Sequence, residues 1–184
     1  MNNMKEQIIC AGSGGQGIVT MGKILAWAAL KDEKFVTFIP SYGAEMRGGT
    51  ANCSVIISDS EIASALVEVP SSLIIMNSAS FNKFEPRLSK NGLLIINSSL
   101  VDRKTARKDI LPIYIPATKI AEEIGQIRTA NMIALGAYIG KSKIIPLNKL
   151  EETLSSVFSK ATKEILALNI KALRRGEEIG RKSQ

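Results

Sequence analysis

The residues best suited to chemistry form a glycine run near the N-terminus. Gly12, Gly14 and Gly17 satisfy G-x-G-x-x-G, with Gly15 and Gln16 between them. An apolar run precedes the motif and an apolar helical pattern follows it, the context in which such glycines form a phosphate-binding turn. Glycines tolerate positive φ and let an anion approach the backbone. The start of the helix adds free N–H groups and a partial positive charge. The chemistry is phosphate recognition without preference for one cofactor, and a tight strand-to-helix turn with no ligand is the structural alternative. A dinucleotide site would add an acidic residue about 20 positions on, at the end of the second strand. That strand instead reads Phe35-Val36-Thr37-Phe38-Ile39 and runs into Pro40, with Asp32 and Glu33 before it as turn residues.

A second dense stretch carries Tyr42, Gly43, Glu45, Arg47, Gly48 and Gly49. It follows the end of a strand, where ligands meet open α/β sheets, so it is expected beside the glycine turn. Tyrosine is a preferred interface anchor, arginine pairs bidentately, and adjacent glycines admit another backbone, which makes the loop a candidate contact with a partner chain. A simple surface pair between Glu45 and Arg47 is the plainer alternative. Asn131 opens a later helical pattern, either as a capping or first-turn residue or as a ligand contact.

The absences are equally informative. The chain has no histidine, the commonest general base and nitrogen ligand for metals. Cys10 and Cys53 are its only cysteines, short of the four thiolates an iron-sulfur cluster usually takes. Each lies in an apolar strand pattern, where a buried reduced thiol is expected. No residue is assigned a catalytic or metal-binding role, and a self-sufficient redox or metal enzyme is disfavoured.

These residues need a scaffold, and 184 residues suit one domain, 1–184. At 45% hydrophobic and 22% charged, the composition is globular. No uncharged apolar run is long enough for a membrane span and no secretory pattern opens the chain, so a cytoplasmic location is expected. The net charge of +7 is partly clustered, at Arg103, Lys104, Arg107 and Lys108 and again at Lys171, Arg174, Arg175, Arg181 and Lys182. Such clusters attract phosphates, acidic partner proteins or nucleic acid, and a solvated basic face is the plainer alternative for each. With 5% aromatic residues, few platforms exist for stacking bases, and nucleic acid is not an expected partner.

The elements follow from periodicity. Residues 7–11 read as a strand, 18–30 as a helix with Trp27 broadening its apolar face, and 35–39 as a strand, together a β-α-β unit with a parallel pair. Residues 51–57 and a run from Ile62 read as an antiparallel hairpin across the turn 58–61. Buried strands are expected at 73–76, 93–97 and 110–115, with a helix at 80–90. Helices are expected at 118–124 and 130–139. Asn148 and Glu151 have capping-box spacing before an apolar stripe that runs as one helix to about residue 175, unless it breaks in two. The fold class is three-layer α/β/α with a mixed, mostly parallel sheet, an antiparallel hairpin and a long C-terminal helical segment.

The combination of GSGGQG after the first strand, YGAEMRGG after the second and NMIALGAYIG before the last helix resembles the gamma subunit family of 2-oxoacid:ferredoxin (acceptor) oxidoreductases, closest to the 2-oxoglutarate branch. The resemblance covers nearly the whole chain and implies a single gamma-type domain like the family's catalytic domain III. It further implies a complex that decarboxylates a 2-oxo acid on thiamine diphosphate, passes electrons through iron-sulfur clusters to ferredoxin or flavodoxin, and transfers the acyl group to coenzyme A. Thiamine diphosphate and the clusters would sit on companion alpha, beta and delta subunits, leaving this chain inactive alone. By the same resemblance Gly12, Gly14, Gly15, Gln16 and Gly17 form the phosphate-facing turn, and Asn131 is a further cofactor-binding candidate. Tyr42, Gly43, Glu45, Arg47, Gly48 and Gly49 face the catalytic subunit. A stand-alone nucleotide-binding dehydrogenase and a ligand-binding scaffold are the alternatives.

Overall fold

The computed structural model describes residues 4–43 and 49–183. Six strands, β1 (Lys5–Ser13), β2 (Phe35–Tyr42), β3 (Thr50–Ser58), β4 (Ser72–Ile75), β5 (Leu93–Asn97) and β6 (Leu111–Ile115), form one sheet in the order β2-β3-β1-β4-β5-β6. The β1–β4, β4–β5 and β5–β6 pairs are parallel, whereas β3 is antiparallel to both its neighbours. The sheet is therefore mixed and mostly parallel, but its antiparallel part is not where periodicity puts it. The hairpin is β2–β3, closed by the glycine-rich loop, and β3 lies between β1 and β2 instead of leaving them as a parallel pair. The run from Ile62 forms no strand: Val67 is buried, but Leu66 and Val69 are exposed. The inward residues of β3, Cys53, Val55 and Ile57, pack under the first helix, and the strand lies inside the sheet with β2 at its edge.

The helices are α1 (Ile18–Lys31), α2 (Ser78–Phe84), α3 (Ala117–Ile124), α4 (Ala130–Ser142), α5 (Leu147–Val157) and α6 (Lys163–Lys182). Strand residues alternate between two cores. Ile8, Cys10, Val55, Ile74, Ile95 and Ile113 face α1, α3, α4, α5 and α6, while Ile9, Ile56, Leu73, Ile75 and Leu94 face Phe81 and Phe84 of α2 and the following Leu88. β4 and β5 are buried at every position, as expected of parallel strands covered on both faces. Trp27 departs from expectation. It is 44% exposed, outside the core, with Lys23 Nζ 5.2 Å from its ring centre. The helix expected at 80–90 is shorter and starts earlier, with the Asn77 side chain accepting from Ser80 N at 2.8 Å. It stops at Phe84 because Pro86 has no N–H to give the Asn82 carbonyl, and a 3-10 turn, Glu85–Arg87, follows.

The C-terminal stripe does break. α5 begins at Leu147 after Pro146, so Asn148 lies inside it and does not cap it. Five residues later Thr162 starts α6, its hydroxyl accepting from Ile165 N at 3.3 Å. Breaking the helix lets α6 turn back over α4, which is buried along almost its whole length between the sheet and α6. Four glycines permit this contact. Methyl groups at Gly136 and Gly140 would overlap the carbonyls of Leu173 and Glu177, and methyls at Gly176 and Gly180 would overlap those of Ile133 and Ala137. At its far end α4 holds both ends of the described chain: Tyr138 Oη donates to Glu6 Oε1 at 3.4 Å and Lys141 Nζ to Ser183 O at 2.8 Å. Burial chiefly, with the Glu6 charge nearby, pushes the Tyr138 hydroxyl well above its usual pKa.

Candidate functional site

β1 delivers the glycine turn to the carboxyl edge of the sheet, and each glycine there has a separate job. Gly12 is still in the strand and buried, and a Cβ would meet Ile18 and, at 3.0 Å, Met76. Gly14 N donates to Gly49 O at 2.9 Å, so the two glycine-rich stretches touch. Gln16 braces the turn from inside, its Oε1 accepting from Ser13 N at 2.7 Å and its Nε2 reaching Met76 O at 3.4 Å. Gly15 (φ +92°) is exposed with open space around it. Gly17 (φ +70°) precedes α1, and no side chain caps that helix, so its first-turn amides remain open among the described residues.

Asn131 is the second residue of α4 and reaches back across the fold. Its Nδ2 donates to Gly17 O at 3.1 Å while its Oδ1 accepts from Met132 N at 2.9 Å. A Cβ on Gly17 would collide with this side chain. Asn131 is thus 95% buried and positions the turn. Tyr42, 68% exposed, ends β2, and Gly43 N donates to Thr50 O at 2.8 Å. Glu45, Arg47 and Gly48 lie outside the described residues.

Two cavities flank Gly15. The front one, about 210 Å³, lies over the carboxyl ends of the strands between Gln16, Met76, Leu100, Thr118, Ile127 and Ala130. A rear one, about 260 Å³, is walled by Gly17, Thr20, Gln126, Asn131, Phe158 and Asn169, against the α5–α6 turn. Arg128 borders both. This residue sits in a 3-10 turn, Ile127–Thr129, where the sequence reads only as a separator between helices. The other described arginines are engaged: Arg87 and Arg107 on carbonyls, Arg103 over the Phe81 ring, and Arg174, Arg175 and Arg181 on glutamates. The Arg128 guanidinium has no partner among the described residues. A free cation beside an uncapped helix N-terminus and an exposed glycine is an arrangement suited to anions.

The cysteines lie elsewhere. Cys10 and Cys53 face each other across β1 and β3, both buried. Their mutual hydrogen bond, and burial after it, hold the Cys10 thiol well above its ordinary pKa, so it is no nucleophile at neutral pH. Cys53 Sγ donates to Ile18 O at 3.5 Å, beneath the start of α1. Inward-facing thiols in this number do not fit an iron-sulfur cluster.

A family model described as pyruvate ferredoxin/flavodoxin oxidoreductase matches residues 7–179. The 2-oxoglutarate synthase subunit KorC of Methanocaldococcus jannaschii is 33% identical over 97% of this chain and 95% of its own. The ketoisovalerate oxidoreductase subunit VorA of Methanothermobacter marburgensis is 33% identical over 94% of this chain. The chain spans only 36% of that relative's length. A 2-oxoglutarate:ferredoxin oxidoreductase from Magnetococcus marinus, solved with 2-oxoglutarate, coenzyme A and succinyl-CoA bound, superposes with a TM-score of 0.87 at 25% identity, covering 96% of this chain and 31% of that one.

Proposed function

Since this chain belongs to the pyruvate ferredoxin/flavodoxin oxidoreductase family, we propose that it is the gamma subunit of a 2-oxoacid:ferredoxin oxidoreductase, with 2-oxoglutarate as substrate. The observation that carries this reading is the end-to-end match to a subunit of 2-oxoglutarate synthase. Its role is to present the glycine turn to coenzyme A and to join companion alpha, beta and delta subunits, which carry thiamine diphosphate and the iron-sulfur clusters and deliver electrons to ferredoxin or flavodoxin. Gly15, Gly17 and Arg128 form the phosphate-facing wall, with Asn131 holding it in place, while Tyr42, Gly43, Glu45, Arg47, Gly48 and Gly49 meet the catalytic subunit. The bond between Gly14 and Gly49 ties these two surfaces together, so docking of a partner and shaping of the anion site are mechanically one event. A nicotinamide dehydrogenase is poorly supported, because the strand beside β1 on that side is the antiparallel β3, whose end at the turn is Thr50 and not an acidic residue.

The test is co-expression with the companion chains, followed by coenzyme A-dependent ferredoxin reduction with 2-oxoglutarate, pyruvate and branched 2-oxo acids in parallel. Preference for 2-oxoglutarate is expected. Turnover confined to another 2-oxo acid would reassign the substrate, and an assembly that forms without this chain and works fully would remove the proposed role.

A further inference from the structure

The two basic clusters of the sequence differ in the fold. In the C-terminal one the arginines are spent within the chain: Arg174 pairs with Glu151 at 2.6 Å, Arg175 with Glu178 at 3.1 Å and Arg181 with Glu177 at 3.3 Å. The cluster that follows β5 gains cations instead. Residues 101–110 fold over α2 and the 3-10 turn behind it. The Thr105 hydroxyl donates to Glu85 Oε1, and Arg107 Nη1 donates to the carbonyls of Glu85 at 3.1 Å and Leu88 at 2.7 Å. This packing brings Arg103, Lys104 and Lys108 onto the same face as Lys83 and Arg87, all of them exposed. Arg103 Cζ lies 4.9 Å from the centre of the Phe81 ring, while Lys83 Nζ and Arg87 Cζ lie 5.2 and 5.6 Å from that of Phe84. The rings hold these cations at the surface without neutralising them. Of the carboxylates on these elements, Glu85 is taken by Thr105 and Asp109 by Arg107, which leaves Asp102. Among the described residues no carboxylate pairs with Lys83, Arg103, Lys104 or Lys108.

We infer that this face docks a diffusible protein through an acidic surface on that partner. It lies on the side of the sheet opposite α1, α4 and α6 and goes beyond the functional reading above. None of the exposed large apolar side chains stands on α2, on the 3-10 turn or on residues 101–110. Permanent interfaces are apolar at their centre and poor in lysine, so a lysine-rich face without apolar anchors suits a contact that is steered by charge and readily broken. Protein is favoured over nucleic acid because Phe81 and Phe84, the rings a base would stack on, are buried beneath the cations.

Fluorescence anisotropy of a labelled peptide of repeated Glu-Glu-Ser tests this on the isolated chain and on the assembled oxidoreductase. The combined variant Lys83→Glu, Lys104→Glu, Lys108→Glu is compared with Lys163→Glu, Lys171→Glu, Lys182→Glu, which makes the same change in total charge on exposed lysines of α6. At about 20 mM salt the first should weaken binding about tenfold or more and the second less than about twofold, and the wild-type affinity should fall steeply toward about 150 mM salt. Because Lys83 lies against Phe84, Lys104→Glu with Lys108→Glu serves as a second variant that leaves the ring contact intact, with a severalfold loss expected. Equal losses at both faces would reduce the effect to the pull of a chain of net charge +7 and overturn the docking face, as would unchanged binding in the first variant. A larger loss for a labelled oligodeoxythymidine than for the peptide would make nucleic acid the ligand and overturn the inference. Peptide bound by the isolated chain and refused by the assembly would show a companion subunit covering the face, which overturns a diffusible partner. The isolated-chain result is independent of turnover with any 2-oxo acid, so this inference and the functional reading can each fail alone.

Discussion

Gly15 and Gly17 stand two positions apart with positive φ, and the structure predicts opposite consequences for adding a methyl to each. At Gly17 the methyl would strike Asn131, and the left-handed backbone itself costs a non-glycine residue about 1–2 kcal/mol. Gly17→Ala should therefore lower the melting temperature by several degrees, with Asn131 displaced from the Gly17 carbonyl. At Gly15 nothing lies within 4 Å of the added carbon. Gly15→Ala should bear only the backbone cost, melting closer to wild type than Gly17→Ala, and its larger effect should fall on the coenzyme A KM; equal melting losses would contradict this division. Sequence shows both glycines but not their separate duties, because spacing cannot report that Gly14 spends its N–H on Gly49. Arg128 was illegible for a similar reason, since its lack of a partner is a property of the folded surroundings. Tyr138 provides a pH signature. Its pKa is raised in the fold, so its contribution to stability is complete below the unfolded value near 10 and is lost as pH rises above it. Tyr138→Phe should cost about 1 kcal/mol near neutral pH, the worth of one hydrogen bond, and should flatten the fall in melting temperature between roughly pH 9 and 11.

Among elements, the α4–α6 pair governs the stability of the face behind the site. Gly176→Ala would place a methyl against the Ile133 carbonyl, a backbone atom that cannot swing aside as a flexible side chain can. Overpacking of this kind typically costs about 1–3 kcal/mol, so urea denaturation should show a clear drop in midpoint with an unchanged slope. Gly125→Ala, where φ is +98° but nothing crowds the site, should cost less. Strand and helix identities were largely legible: β5 and the start of α1 fall where periodicity places them, since apolar runs bounded by glycine or asparagine admit few other readings. What periodicity could not show was partner choice. The alternation in β3 fits either neighbour, and the packing of Cys53, Val55 and Ile57 under α1 is a property of the folded core that spacing does not report. Likewise the stripe over 150–172 is continuous in sequence, and the break at Phe158–Thr162 reflects the packing of α6 onto α4's glycines.

At the scale of the whole molecule, a chain whose two cysteines face inward has no place to hold a cluster. Purified alone, it should carry no stoichiometric iron and show no visible absorption band, and an iron-sulfur chromophore would contradict the assignment of clusters to companion subunits. Arg47→Ala should leave the melting temperature of the isolated chain nearly unchanged while releasing it from the co-expressed complex, measured by size-exclusion; an intact and fully active complex would show that this arginine is no anchor. No helix among the described residues is long and apolar enough to cross a membrane.

One contact at the far end of α4 bears on how such a chain can be rewired. Tyr138 holds Glu6 and Lys141 holds Ser183, and these two anchors are three residues apart, about 4.5 Å along the helix axis. The first strand and the last helix therefore end side by side, at the edge of the sheet away from Gly15. Domains with neighbouring ends tolerate circular permutation. Joining residues 4 and 183 through a short Gly/Ser linker and reopening the chain in the exposed loop 102–108 should give a permutant that folds with the same anion site. In one relative the matching segment is about a third of a longer polypeptide.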